Sequence, residues 1–198
     1  FRVMIKYSYA PICLFTYNRL EETKKTIEAI QNNILAAQSK LFIFSDGSKN
    51  IESKHKVDEV RSYLKNVDGF KSVTIKESSI NKGLASSIID GVSEVMSIYG
   101  KVIVLEDDLI TSPNFLNFMN EALNFYKDNT KVFSISGYSM KLPSLKAYQK
   151  DYYIGYRASS WGWATWGRSW YDIDWDIKDY LIFKKSCNSK IKFNRGGS

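Results

Sequence analysis

The sequence predicts an α/β protein, a three-layer sandwich around a mostly parallel central sheet, and three observations carry that prediction. Val102-Ile103-Val104-Leu105 is an unbroken apolar run of the kind that forms a strand buried on both faces. Strand-like and helix-like segments alternate from Ala10 to Ser136, the pattern of parallel strands joined by helical crossovers. The apolar run ends abruptly in Glu106-Asp107-Asp108, which puts three carboxylates at the sheet edge where open α/β folds bind their ligands.

The elements follow in order. Ala10 to Thr16 reads as the first strand, and Asn18 with Glu21 three residues on predicts a capped helix start. Leu20, Ile27, Ile30 and Ile34 continue at helical spacing. Leu41 to Phe44 is a second buried strand, closed by the turn-forming Ser45-Asp46-Gly47-Ser48. Val57, Val60 and Leu64 mark a second amphipathic helix, and Val73 to Ile75 a third strand. After Asn81-Lys82-Gly83, the stripe Leu84, Ile88, Val92, Val95 and Tyr99 leads into the acid-tipped strand. Strand alternation then predicts Glu106 and Asp108 on one side and Asp107 on the other. Ser112-Pro113 predicts the next helix start, with Phe115, Met119, Ala122 and Tyr126 on one face, and Val132 to Ser136 a further strand. From about Leu142 the pattern turns irregular and aromatic, dividing one domain into residues 1–141 and 142–198. Within the second part, Trp163, Trp166 and Trp170 follow i, i+3, i+7 spacing, which reads as a helix face packed on the core.

Composition narrows the function classes. A net charge of +7 arises from 28 basic and 21 acidic residues, and the bases are mostly dispersed Lys that solvate a surface or attract an anionic substrate or membrane face. Nucleic-acid binding has only this charge behind it and no recognisable motif. No apolar run approaches the ~20 residues of a membrane span, and the N-terminus lacks signal-peptide design, so a cytoplasmic protein is expected. Cys13 and Cys187 have no CxxC partner, which argues against a zinc site or disulfide framework. The single histidine, His55, lies in a polar Lys-rich stretch, so histidine triads and His-rich metal sites are excluded within the segment.

Five segments carry candidate chemistry. Phe15-Thr16-Tyr17-Asn18-Arg19 ends the first strand at the mouth of a helix, where backbone N–H groups and the Arg19 fork suit an anion; a plain capped helix with a surface Arg fits the same residues. It contains no glycine, so neither a dinucleotide fingerprint nor a P-loop is present. Asp46 either accepts hydrogen bonds from a base or ribose or merely forms a turn before Gly47. Lys82 offers a cation to a phosphate. Adjacent carboxylates repel, a cost tolerated where a cation compensates, and Mg²⁺ or Mn²⁺ bridging Asp108 to a diphosphate would do so. Trp161, beside Gly162, offers a flat indole face to a sugar ring.

The series Pro11 to Arg19, Ser45-Asp46-Gly47, Asn81-Lys82-Gly83, Leu105-Glu106-Asp107-Asp108-Leu109 and Trp161-Gly162-Trp163 resembles GT-A-fold glycosyltransferases, both bacterial sugar transferases and the N-acetylglucosaminyltransferase I group. Glu106 to Leu109 followed by Ser112-Pro113-Asn114-Phe115 is its most specific part. The resemblance implies a Rossmann-like GT-A sandwich, a nucleotide-sugar donor, above all a UDP-sugar, a divalent metal, and inversion at the anomeric carbon. Transfer would be of a hexosyl or N-acetylhexosaminyl group to a glycan or lipid-linked acceptor. By motif, Thr16, Asn18 and Arg19 would flank the nucleotide, Asp46 the base, and Lys82 the ribose or phosphates. Glu106 and Asp107 would contact the ribose or a metal-bound water, Asp108 the metal, and Trp161 and Gly162 the sugar pocket. Residues 1–141 become the nucleotide-sugar-binding part and 142–198 the acceptor-side segment.

The family's catalytic base lies beyond its tryptophan segment, which here falls after Ser198, so the chain is expected to be truncated at its C-terminus. Asp172, Asp174, Asp176 and Asp179 are the nearby substitutes. The family also suggests bacterial polysaccharide assembly at the inner membrane face, with peripheral membrane association. Two other classes stay open: a non-catalytic carbohydrate- or nucleotide-binding domain, and a sugar nucleotidyltransferase, which carries a Gly-rich loop where this chain has Tyr17-Asn18-Arg19.

Overall fold

The central sheet runs in the order β3-β2-β1-β4-β6-β5. The computed structural model describes residues 8–139, 142–143 and 146–194. Strands β1 (Ile12–Thr16), β2 (Lys40–Ser45), β3 (Ser72–Glu77) and β4 (Lys101–Glu106) are mutually parallel. Strand β6 (Trp163–Trp166) runs antiparallel to both β4 and β5 (Ser134–Ser136), so it alone reverses direction. Helices α1 (Leu20–Gln31), α2 (Ile51–Leu64), α3 (Leu84–Tyr99) and α4 (Phe115–Phe125) follow the strands, with three short helices, α5 (Gly167–Trp170), α6 (Tyr180–Lys185) and α7 (Cys187–Asn194), at the end. The fold is the mostly parallel α/β sandwich of GT-A proteins.

Two apolar layers explain why residues 12–15 of β1 and 102–105 of β4 are apolar throughout. Ile12, Leu14, Ile103 and Leu105 pack on Ile27 and Ile30 of α1, Val60 and Leu64 of α2, and Leu116 and Met119 of α4. The alternate residues Cys13, Phe15, Val102 and Val104 pack on Val92, Val95 and Met96 of α3 and Trp170 of α5. Residues 102–105 are each at most 1% exposed, so the strand is covered on both sides, as its composition requires. Cys13 sits inside this second layer, where burial, reinforced by the Glu94 charge, pushes its thiol well above the ordinary value. A thiol reagent is therefore expected to modify Cys187 alone in the native protein and both cysteines in denaturant; two rapid modifications without denaturant would contradict this packing.

Three sequence expectations change. Asn18 does not cap α1: Arg19 takes the cap position without a side-chain bond, because its non-helical backbone (φ −115°, ψ 83°) delays the first helical residue to Leu20. The helix ends at Gln31, so Ile34 falls off its stripe and is exposed. Helix α4 begins at Phe115 rather than Pro113. Its first-turn N–H at Leu116 donates to the side-chain amide oxygen Oδ1 of Asn33 at 2.9 Å, a cap delivered from another part of the chain.

The tryptophans bring the largest correction. Trp163 to Trp166 form strand β6, not a helix face. Trp163 faces the α3 layer and stacks on Trp170 at 5.9 Å, whereas Trp166 faces the other layer and donates its indole N–H to the Leu123 carbonyl. Ala164 pairs with Ile103 of β4 on one side and Ile135 of β5 on the other. The boundary at residue 141 thus runs through one continuous sheet.

Candidate functional site

Strands β1 to β4 end at one edge of the sheet, and the predicted residues collect there. The first group joins the turns after β1 and β4. Arg19 forks across Asp107 and Asp108, with 3.0 Å to Asp108. Asp107 also accepts the Tyr17 backbone N–H at 3.2 Å. This overturns the expected alternation: β4 ends at Glu106, and the turn that follows brings both aspartates within reach of one guanidinium.

Burial separates these carboxylates. The Asp107 side chain is 4% exposed and that of Asp108 44%. Burial lifts the Asp107 carboxyl above the usual range, against the pull of Arg19 and the Tyr17 N–H. Glu106 is lifted by burial and by the charges of Asp108 and Asp107. For Arg19, burial opposes the charge, but the two aspartates outweigh it and hold the guanidinium above its ordinary value. For both Glu106 and Asp107 the folded state holds the proton more tightly than the unfolded chain. Their contribution to stability is full below the unfolded carboxylate range and is lost as pH rises through the folded values.

The second group forms around Asp46, which is 8% exposed. One of its oxygens accepts the N–H groups of Gly47 and Lys82, both at 2.9 Å. The other accepts the Gly83 N–H at 3.0 Å and the Asn81 amide at 3.1 Å. Asp46 is thus the knot that ties the 81–83 turn to the end of β2, with its acceptor sites engaged. The Lys82 ammonium pairs with Asp90 at 2.7 Å.

Two positioning residues escaped sequence analysis. Arg61 of α2 binds the Ser45 hydroxyl and the carbonyls of Ser45, Asp46 and Ser78, clamping the ends of β2 and β3. Its signal was a charge standing on the stripe of Val57, Val60 and Leu64. Tyr17 links the groups: its N–H reaches Asp107 and its hydroxyl accepts the Lys49 N–H at 3.1 Å. Thr16 is buried, and its hydroxyl oxygen has no hydrogen-bond partner among the described residues. Asn18 is half-buried at the same turn.

Trp161 and Gly162 reach the site from the far side of β4. With Leu105, Asp108, Thr111, Ser112, Phe115 and Tyr138 they line a cavity of about 350 Å³. The edge therefore holds an acid-and-arginine centre, a loop knotted by Asp46 beside it, and an aromatic pocket opening at Asp108.

Among the described residues, no group of three or more acidic, histidine or cysteine side chains is arranged as a metal cage. The donor chemistry nonetheless fits a hard divalent cation held by Asp108 and completed by substrate oxygens and water, because Mg²⁺-type sites often use only one or two carboxylates. Arg19 already engages Asp108. Arg19→Gln is expected to strengthen the binding of Mn²⁺ alone, since Asp108 loses its competing cation, and to destabilise the fold by about 1–2 kcal/mol by leaving buried Asp107 without its charge partner. Calorimetric Mn²⁺ titration and thermal melting read the two effects separately.

No helix among the described residues is long and apolar enough to cross a membrane. No curated protein matches the chain. Among solved structures it is similar to a mannosyltransferase of Pyrobaculum calidifontis in complex with GDP-Man and Mn²⁺, at 14% identity and a TM-score of 0.47, covering 66% of this chain and 36% of that one. It is also similar to S. aureus TarS, at 11% identity and a TM-score of 0.42, covering 60% of this chain and 20% of that one. The chain thus spans about a third and a fifth of those proteins. The model of glycosyl transferase family 2 matches residues 12–186, from the first residue of β1 to just past α6. Strand order, acidic edge and aromatic pocket all fall inside that match, and the chain belongs to glycosyl transferase family 2.

Proposed function

We propose that this chain is the donor-binding part of an inverting, metal-dependent glycosyltransferase that moves a sugar from a nucleoside diphosphate, UDP above all, to a hydroxyl of a glycan or lipid-linked acceptor. The observation that carries the proposal is the position of Asp108, half-exposed at the carboxyl edge of the sheet, paired with Arg19 on one side and lining the aromatic pocket on the other. A diphosphate there has a guanidinium for its oxygens and a pocket for its sugar.

Each residue's part follows from its setting. Arg19, a rigid planar donor, exchanges a carboxylate for phosphate oxygens without moving far from the edge. Asp107, buried between Arg19 and the Tyr17 N–H, fixes the angle of that fork. Asp46 holds the turn carrying Lys82 in place beside the nucleotide, and the Asn18 turn borders the same edge. Trp161 and Gly162 shape the sugar's place. Mn²⁺ or Mg²⁺, when bound, offsets the charge that develops on the departing diphosphate. The chain's own contribution is positioning and electrostatic preorganisation.

The acceptor's proton needs a base other than the metal-holding Asp108. Asp108 is the single carboxylate among the described residues that line the pocket, and Asp174 accepts the backbone N–H groups of Asp176 and Lys178. Assembly of a bacterial polysaccharide at a membrane face remains part of this proposal on the strength of the basic charge. Calorimetric titration of UDP, GDP and dTDP, each with and without Mn²⁺, tests the reading. Metal-enhanced binding of one of them is expected, and indifference to all three would sink it.

A further inference from the structure

Helix α1 grips the stretch between β4 and α4 at both of its ends. At its start, the cap residue Arg19 holds Asp107 and Asp108. Just past its end, two consecutive residues hold the far part of the same stretch. The Ile34 N–H donates to the Pro113 carbonyl at 3.1 Å, and the Asn33 side chain bonds Thr111 and Leu116. Residues 108–112 of that stretch, with Phe115 beyond them, line the pocket beside Asp108. One side of the pocket is therefore anchored not to the sheet but to the C-terminal end of α1.

Asn33 is 6% exposed, and a polar side chain so deep is costly unless its groups are bonded. Both ends of its amide are used. Oδ1 accepts the Leu116 N–H at 2.9 Å, while Nδ2 donates to the Ala29 carbonyl at 2.9 Å and to the Thr111 hydroxyl oxygen at 3.0 Å. These partners fix which way the amide stands, since turning it over would set its NH₂ against the Leu116 N–H and its oxygen against the Ala29 carbonyl. With the amide fixed, so is the hydroxyl. Thr111 Oγ1 is the acceptor in its bond to Asn33, so its own proton is turned away from Asn33, on a half-buried side chain that lines the pocket.

We propose that Asn33 is a positioning residue for this pocket and Thr111 a specificity-determining one: the buried amide sets the Thr111 hydroxyl to donate to an oxygen of the pocket's occupant. A hydroxyl held in this way favours a ligand that offers an oxygen at that point over one that does not, because a donor turned inward and left unpaired is costly. The inference rests on the donor-binding function proposed above. It adds two residues that lie outside the acidic strand end and act as a pair.

The test uses the whole chain with Mn²⁺ and the binding of UDP-glucose, UDP-N-acetylglucosamine and GDP-mannose, each referred to UDP or GDP alone. Thr111→Val keeps the side chain's shape and removes only the hydroxyl. It is expected to lower the preference for the best-bound sugar nucleotide over its free diphosphate by about five- to tenfold, and Thr111→Ser to restore that preference. Asn33→Asp keeps an oxygen for the Leu116 N–H but changes the group facing Thr111 from donor to acceptor. The hydroxyl then donates to the carboxylate, and the same loss of preference is expected. Because Asn33 acts through Thr111, the double variant should lose no more than Thr111→Val alone. A purely structural Asn33 would weaken diphosphate and sugar nucleotide alike and leave their ratio unmoved. An unchanged ratio in Thr111→Val, or losses that multiply in the double variant, overturns the inference and leaves the nucleotide site standing. Binding of UDP or GDP by the unaltered chain without preference for any sugar nucleotide overturns it as well. Failure of both diphosphates to bind overturns the donor-binding reading and this inference together.

Discussion

Replacing Asp108 by Asn is expected to remove the Mn²⁺ dependence of nucleotide binding and, in the whole transferase, to lower sugar transfer by about 10²–10³-fold, the scale on which a single preorganised charge at a reacting centre acts. The change keeps the side chain's size and removes only its charge. Because Asp108 is half-exposed and its ion pair with Arg19 is open to solvent, stability should fall by less than about 1 kcal/mol. Titration of UDP with and without Mn²⁺, beside a thermal melt, separates the effects. Retained metal enhancement in Asp108→Asn would falsify the assignment of that residue. The neighbouring Asp107 should behave in the opposite way, since its 4% exposed side chain makes its loss first a matter of folding.

Asp46→Ala is expected to cost about 3 kcal/mol, because four donors lose a charged acceptor together and hydrogen bonds to charged groups each contribute ~1.5–3 kcal/mol. For a chain of this length the melting temperature should drop by roughly 6–12 °C. Nucleotide affinity should fall as well, since the 81–83 turn is no longer tied to β2. Asp46→Asn helps decide between roles: its amide oxygen can take only part of the four bonds, and its NH₂ group meets donors. A side chain whose sole duty was to touch a base would leave the melting temperature unmoved when truncated.

How much of this was legible depended on distance along the chain. Strands β1 to β4 and the helix stripes were readable because each advertises its burial within ten or fifteen residues; Val102 to Leu105 could hardly be anything but a doubly covered strand. The edge position of Asp46 and Asp108 followed from strand polarity alone. The bonds that define their parts did not. Asp46 meets Lys82 and Gly83 across 36 and 37 residues, and Arg19 meets Asp107 and Asp108 across 88 and 89. Strand β6 was misread because its tryptophans, with Trp170 just beyond, mimic helical spacing by coincidence, and a strand covered on both faces lacks the alternation that would have exposed it. Arg61 was visible as an anomaly on an apolar stripe, but only the folded chain shows that it gathers two strand ends.

The reversed strand β6 also has a consequence for the order in which the molecule is made. β4 is complete when residue 106 leaves the ribosome, yet the strand that covers its open flank is not made until residue 166, and β5 finds its partner only then. For those sixty residues of synthesis, one of the most apolar strands in the protein presents unpaired N–H and C=O groups to its surroundings, an invitation to foreign strands. Nascent chains stalled within this window should be the aggregation-prone species of the protein, and release past Trp166 the event that ends the hazard.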